Sequence, residues 1–119
     1  MKKVLVADDD ESIRKLIVGL LKTILKKENL VVVEAEDGFE AKEKFSKEFD
    51  LVILDYRMPK IDGFKLAKFI RETSEATKII MITGSFFGHE FPADLKVDDF
   101  IIKPFRVKDF TTTVSKLLI

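Results

Sequence analysis

Acidic, hydroxyl and basic side chains follow four of the short apolar runs in this sequence. The acidic triplet Asp8–Asp10 follows one run, and Asp55, Thr83 and Lys103 each follow another. If these runs are parallel strands, their carboxyl ends share one edge of an open sheet, where ligands bind. Carboxylates, a hydroxyl and an ammonium gathered there suit a divalent cation and a phosphoryl group. The spacing therefore predicts a phosphorylation site on Asp55.

The clustered acids favour a cation site over simple helix capping. Two unit charges about 4 Å apart repel by about 4 kcal/mol at an effective dielectric of about 20, so grouped carboxylates imply a cation. Oxygen ligands suit Mg2+ or Mn2+. Aspartate is also common at helix N-caps, but one cap explains only one residue of the triplet. We expect Asp10 to be either that cap or a solvated charge.

Composition excludes several classes of function. The 119 residues suffice for one domain, and 21 basic against 21 acidic side chains give no basic field for direct nucleic-acid binding. The absence of Cys excludes disulfides, thiolate catalysis and Cys-ligated zinc. No run approaches the roughly 20 apolar residues of a membrane span. These features predict a soluble, cytoplasmic protein with no membrane attachment.

Strand-like and helical patterns alternate along the chain. The apolar spacing of residues 13–25 predicts a first helix with one buried face. Five such strand–helix repeats imply right-handed crossovers and a doubly wound α/β sheet. The predicted inward face of the first helix comprises Ile13, Leu16, Ile17, Leu20, Leu21, Ile24 and Leu25.

The expected fourth helix, within residues 84–97, has a poor sequence for a helix. Gly84 and Gly88 weaken it, and an internal Pro92 would break it. We expect an irregular, short or displaced element there. His89 is expected to be a solvated loop residue. Three aromatic residues either fill the space of a regular helix or form a partner-binding patch: Phe86, Phe87 and Phe91.

Four motifs together carry a family resemblance. They are Val6-Ala7-Asp8-Asp9, Leu54–Gly63, Ile82-Thr83-Gly84 and Ile102-Lys103-Pro104-Phe105. In this order and spacing, the chain resembles the receiver domain of two-component response regulators over essentially its whole length. The resemblance implies a (βα)5 flavodoxin-like fold, with a five-stranded parallel sheet of order 2-1-3-4-5. Nothing follows the last predicted helix, so we expect one receiver domain over residues 1–119 and no output domain.

The resemblance also implies a metal site. Its ligands would be Asp9, Asp55 and the main-chain carbonyl of Arg57, and Asp8 would act mainly through water. The expected cofactor is Mg2+ or Mn2+. Arg57 and Ser85 occupy variable positions of the family, where they would tune the lifetime of the phosphoryl group.

The remaining site residues would act on the phosphoryl group. By resemblance, Asp55 is the nucleophile and phosphoacceptor, and a carboxylate that attacks phosphorus gives an acyl phosphate. Lys103 would neutralise phosphoryl oxygens, Thr83 would donate a hydrogen bond, and the bond between Lys103 and Pro104 would be cis. Thr83 and Phe100 would form the switch, although a fixed Phe100 in the core remains an alternative.

The implied function is a phosphorylation-dependent binding module. A histidine kinase or phosphotransfer protein would supply the phosphoryl group, a downstream protein would be the target, and the chain would be a monomer or weak dimer. It would be no enzyme beyond self-phosphorylation and self-dephosphorylation. Alternatives are a pseudo-receiver, an aspartyl-phosphate phosphatase and a flavodoxin-like electron carrier. The phosphatase would need an Asp where Arg57 stands, and the carrier a hydroxyl- and glycine-rich loop where Asp8–Asp10 stands.

Overall fold

Strands and helices alternate over residues 2–83 of the computed structural model, which describes residues 1–84 and 94–119. The strands extend one or two residues beyond most of the apolar runs that predict them. In chain order the elements are β1 (Lys2–Ala7), α1 (Glu11–Ile24), β2 (Leu30–Ala35), α2 (Gly38–Lys44), β3 (Leu51–Asp55), α3 (Gly63–Thr73), β4 (Lys78–Thr83), β5 (Asp99–Ile102) and α4 (Val107–Leu118).

The five strands form one parallel sheet in the order β2-β1-β3-β4-β5. Every residue of β3 is buried, as expected of a central strand covered by helices on both faces. The predicted α/β class and strand order are therefore confirmed. Because all strands run the same way, their carboxyl ends lie at one edge.

Side chains that alternate along the strands pack into two hydrophobic cores, one on each face of the sheet. Leu5 and Val52 pack with the α2 and α3 side chains, whereas Val6 and Ile53 pack with those of α1 and α4. Full burial of a Leu or Ile side chain contributes about 1.5–3 kcal/mol, so both layers hold the strands in register.

Aspartate residues begin three of the helices. Asp10, Asp37 and Asp62 are the N-caps of α1, α2 and α3, and each accepts a hydrogen bond from the backbone N–H three residues further on, at 3.2, 2.7 and 3.0 Å. These bonds satisfy donors that a helix start leaves free. Of the two alternatives for Asp10, the structure supports the cap.

The buried face of α1 differs from the predicted one at three positions. Leu16 is 47% exposed, and the prediction that it faces inward is wrong, whereas Arg14 and Val18, which the prediction left out, are only 5% and 8% exposed. The inward face is centred on Ile17 and Leu21, which are buried as expected. Arg14 lies on that face because acceptors at the ends of β1 and β2 receive its guanidinium.

Arg71 at the end of α3 fastens the segment that leads into β5. Its guanidinium donates to the carbonyl oxygens of Thr77 at 2.8 Å and Lys96 at 3.1 Å, and to the Asp98 carboxylate at 3.0 Å. Asp98 also accepts the Ile79 N–H of β4 at 2.8 Å. This cluster connects α3, β4 and the start of β5.

The predicted irregular fourth helix falls largely on residues 85–93, outside the described residues. The predictions for Ser85, His89 and the three nearby aromatic residues also lie there. None of the helices in the two described ranges combines the length and the apolar character that a bilayer span requires.

Candidate functional site at the carboxyl edge of the sheet

Strand register brings the predicted site residues to one edge. Ala7 pairs with Leu54, so Asp8 and Asp55 follow at neighbouring strand ends. Thr83 ends β4, and its carbonyl oxygen accepts the Lys103 N–H at 2.7 Å. Residues that are far apart in sequence therefore converge as the pattern of strand ends predicts.

Three carboxyl groups form an acidic cluster at this edge. Asp8, Asp9 and Asp55 each offer an oxygen, and the three oxygens lie within 4.8 Å of one another. Asp8 and Asp55 are buried and Asp9 is exposed, so the cluster opens to solvent on one side. Hard oxygen donors with an open side fit Mg2+, which keeps several of its waters when it binds.

The Lys103 ammonium completes the cluster. Its Nζ lies 3.3 Å from Asp8 Oδ2 and 3.5 Å from Asp55 Oδ1, and its side chain is 23% exposed. The peptide bond between Lys103 and Pro104 is cis. One ammonium faces three carboxylates, so the site keeps an excess of negative charge that a cation can neutralise.

The environment of Asp55 disfavours its ionised form. Burial raises the pKa of Asp55 to about 6, and the negative charge of Asp8 adds to the rise, while Lys103 opposes it. Binding of a cation or another electrophile to the oxygens of such a carboxylate relieves the unfavourable burial of its negative charge. The groups around Asp55 therefore stabilise its negative charge poorly.

Close backbone contacts shape the loop after Asp55. The Gly63 N–H donates to the Tyr56 carbonyl at 2.8 Å, and a Cβ on Gly63 would lie 2.7 Å from Tyr56 Cα and 2.8 Å from the Asp55 carbonyl oxygen. A Cβ on Gly38 would overlap the carbonyl oxygen of Ile61. Both α3 and α2 begin with a glycine, and these glycines allow the two helices to pack closely against this loop.

The predicted switch residues lie on adjacent strands. Thr83 is buried at the end of β4, and Phe100 on β5 is half-buried against the core on the α2 and α3 side. The reorientation of Thr83 and Phe100 on phosphorylation stays a prediction. Arg57 is exposed in the loop after β3, whereas Ser85 lies outside the described residues, and their effect on the lifetime of the phosphoryl group stays a prediction.

Arg14 is the contact to the acidic cluster that the sequence predictions missed. Its Nη1 donates to the Asp8 carbonyl oxygen at 2.8 Å. A sequence signal does exist, because Ile17, Val18 and Leu21 follow Arg14 at the i+3, i+4 and i+7 positions of a buried face. A charged residue in that position indicates a buried cation with dedicated acceptors.

Comparison with known families and proteins shows what the whole chain is similar to. The model of the response regulator receiver domain matches residues 4–115. The transcriptional regulatory protein ResD of Bacillus subtilis is 39% identical over 98% of the chain, which covers 48% of ResD. CpxR of Escherichia coli, another transcriptional regulatory protein, is 33% identical over 99% of the chain, which covers 50% of CpxR. The chain thus spans about half the length of these relatives.

Solved structures show the same fold. The chemotaxis response regulator CheY4 of Vibrio cholerae superposes with a TM-score of 0.81 at 29% identity, over 99% of each chain. The response regulator TrrA of Thermotoga maritima, solved in complex with Mg2+–BeF, superposes with a TM-score of 0.77 at 39% identity, over 99% of this chain and 100% of TrrA.

Proposed function

Because the chain belongs to the family of response regulator receiver domains, we propose that it is a phosphoacceptor switch in which Asp55 takes a phosphoryl group from a phosphohistidine. The proposal depends on one observation above all, the convergence of Asp8, Asp9 and Asp55 with the Lys103 ammonium 3.3–3.5 Å from two of them. Neighbouring carboxylates without a cation repel strongly, so such a cluster is suited to a cation and a phosphoryl group.

The chemistry follows from the positions of the side chains. An Asp55 carboxylate oxygen attacks phosphorus, the bond between phosphorus and the histidine nitrogen of the donor breaks, and an acyl phosphate forms. The Lys103 ammonium neutralises negative charge on the phosphoryl oxygens, and the Thr83 hydroxyl donates a hydrogen bond to one of them. Phosphoryl transfer depends mainly on such positioning and charge stabilisation.

In this proposal Asp9, Asp55 and the main-chain carbonyl of Arg57 would hold the metal ion, and Asp8 would act through water. Mg2+, or alternatively Mn2+, would supply positive charge for the phosphoryl oxygens. The oxygen donors of the acidic cluster support this assignment. The complex of the Thermotoga relative with Mg2+–BeF supports magnesium as the ion.

Phosphorylation changes the affinity for a partner protein. The modification adds about −1.5 to −2 charges and strong acceptor oxygens. In this proposal Thr83 turns toward the phosphoryl group, and Phe100 moves into the space that Thr83 leaves. Arg57 and Ser85 control how long the phosphoryl group persists. Both switch residues lie close to the edge that carries Asp55, which supports the coupling.

The proposed setting is a phosphorelay in the cytoplasm. A histidine kinase or phosphotransfer protein donates, a downstream protein is the target, and residues 1–119 act as one receiver domain, a monomer or weak dimer. Several relatives are transcriptional regulators about twice this length, whereas this charge-balanced chain is proposed to contact protein and not nucleic acid. A pseudo-receiver that binds without phosphorylation is the second candidate.

Intact-mass analysis after incubation with Mg2+ and a small phosphodonor tests the proposal. The unaltered protein should gain one phosphoryl group, and Asp55→Asn should gain none. Asp50→Asn is the matched control, because it makes the same change just before the other end of β3 and should still be phosphorylated. No gain in the unaltered protein would contradict the proposal and favour the pseudo-receiver.

A further inference from the structure

Arg14 is a cation buried on the inward face of α1. It is 5% exposed, although a guanidinium stays charged and carries five N–H donors. A buried charge is costly unless carboxylates and hydrogen-bond acceptors surround it. The partners of Arg14 show where its donors go.

The guanidinium joins the ends of two strands. Its Nε donates to Glu34 Oε1 at 2.9 Å, and its Nη2 lies 3.9 Å from Glu36 Oε1, both at the carboxyl end of β2. Its Nη1 donates to the carbonyl oxygen of Asp8, just beyond β1, at 2.8 Å. The carboxylates of Glu34 and Glu36 balance the charge of the guanidinium, so its bond to the neutral carbonyl group of Asp8 serves to orient that group.

The oxygen that Arg14 holds belongs to the peptide unit between Asp8 and Asp9. A peptide unit is planar, so fixing its oxygen orients the plane that joins the two Cα atoms. On the other side of Asp8, its N–H donates to the Ala35 carbonyl at 3.1 Å. The backbone that carries two of the three clustered acids is thus held by Arg14 and by β2.

We propose that Arg14 is a positioning residue for the metal site, which acts by holding the peptide unit between Asp8 and Asp9. This inference rests on the proposed function, since it takes the acidic cluster to bind Mg2+. Loss of Arg14 lets that peptide unit rotate, so that the carboxylates of Asp8 and Asp9 spread over more orientations. Outer residues that orient ligands commonly change metal affinity on the order of 10- to 100-fold.

Calorimetric titration of the full chain with Mg2+ alone tests this role. Arg14→Met should weaken Mg2+ binding at least about tenfold. In phosphorylation assays the variant should need more Mg2+, while its rate at saturating Mg2+ should fall much less. A residue that only stabilises the fold would not change Mg2+ affinity at temperatures where the variant remains folded.

Arg71→Met is the matched control. Arg71 also donates to backbone carbonyls and to a carboxylate, but it does so beside β5 and outside the acidic cluster. Arg71→Met should lower thermal stability and leave Mg2+ affinity within about twofold of the unaltered value. Equal weakening of Mg2+ binding by both substitutions would overturn the proposal.

Milder substitutions keep the test decisive if Arg14→Met does not fold. Arg14→Lys retains the charge but not the planar array of guanidinium donors, so it should weaken Mg2+ binding to an intermediate degree. Arg71→Lys should not weaken Mg2+ binding. Unchanged Mg2+ affinity in the Arg14 variants would overturn the role of Arg14 alone. Failure of the unaltered protein to bind Mg2+ would overturn the proposed metal site and this inference together.

Discussion

The carboxyl group of Asp55 combines burial with a like-charged neighbour, and both raise its pKa, to about 6. In the unfolded chain the same group titrates near its ordinary pKa of 3.8. Between these two values the folded protein binds more protons than the unfolded one. The contribution of Asp55 to stability therefore falls as the pH rises through this window, and at neutral pH its ionised form destabilises the fold.

Replacement of Asp55 by Asn should stabilise the metal-free protein at about pH 8 by about 2 kcal/mol, because the neutral amide removes the cost of a buried charge. Urea unfolding at several pH values measures the effect. The gain should shrink as the pH falls from about 6 and should vanish below about pH 3, where the unfolded and folded states both hold the proton. A gain that is the same at about pH 8 and at about pH 3 would contradict the assignment of charge burial as the cause.

Lys103 should contribute to phosphoryl transfer as well as to the charge balance. Lys103→Met removes the ammonium beside Asp55 Oδ1, so the rate at saturating Mg2+ should fall on the order of 100-fold. Removal also raises the pKa of Asp55 further, because Lys103 opposes the rise. The rate is obtained by measuring the intact mass of the protein at successive times during phosphorylation. Lys116→Met serves as the control, since Lys116 pairs with Asp99 and not with the acidic cluster; an equal loss there would refute a local role for Lys103.

Individual side chains were predictable where position on a strand determines their direction. Asp8, Asp55, Thr83 and Lys103 follow or end apolar runs, and parallel strands bring such residues to one edge. Arg14 and Leu16 were not predicted correctly, because apolar periodicity counts side-chain type and ignores acceptors at distant strand ends. The pKa of Asp55 also depends on burial, which the sequence does not contain.

The start of α3 is packed directly on the strand end that carries Asp55. Gly63 permits this contact, because its Cα lies where a side chain would meet the backbone of Tyr56 and Asp55. The Asp62 cap and the Gly63 N–H bond to Tyr56 fix the helix at that distance. The position of α3 and the geometry of the loop after β3 are therefore coupled.

Gly63→Ala should destabilise the protein by about 1–3 kcal/mol, since the added methyl group forces the helix or the loop to shift. Thermal and urea unfolding measure the change. Gly19→Ala is the control within α1, because among the described residues only the chain neighbours and the helix's own backbone lie within 4 Å of the added Cβ. That substitution should raise stability by about 0.5–1 kcal/mol through helix propensity. Similar effects at both positions would show that close approach is not the cause.

Elements with strong periodicity were predictable, and their connections less so. The alternation of apolar runs and helical periods gives the order of strands and helices, and the Asp residues before α1, α2 and α3 mark where these helices begin. The contacts of Arg71 with the segment before β5 join residues up to 27 positions apart, so no local pattern predicts them.

The folded domain brings the carboxylates of the acidic cluster together, whereas the unfolded chain does not. A cation bound there stabilises the folded state by mass action, by about 2.7 kcal/mol at 100 times its dissociation constant. Mg2+ should therefore raise the melting temperature, and chelation with EDTA should reverse the rise. Asp9→Asn should abolish most of it, whereas Asp109→Asn, an exposed acid on α4 that pairs with Arg106, should not. An unchanged rise in Asp9→Asn would contradict the ligand assignment.

The strand order shows where sequence reasoning needs a family resemblance. Strand–helix alternation predicts a parallel sheet with right-handed crossovers, yet it does not say which strands are neighbours. The placement of β1 between β2 and β3 came from the resemblance and is confirmed by the pairing of Val4 with both Val32 and Leu51.

This central placement of β1 has a consequence for synthesis on the ribosome. β1 emerges before both strands that flank it, and β3, which pairs with it from Val4 to Ala7, ends only at Asp55. Until that point its apolar side chains have no complete set of partners, and exposed strands of this kind are where nascent chains aggregate or recruit chaperones. We therefore expect the interval between the emergence of Ala7 from the ribosome and the emergence of Asp55 to be the most vulnerable period for this domain.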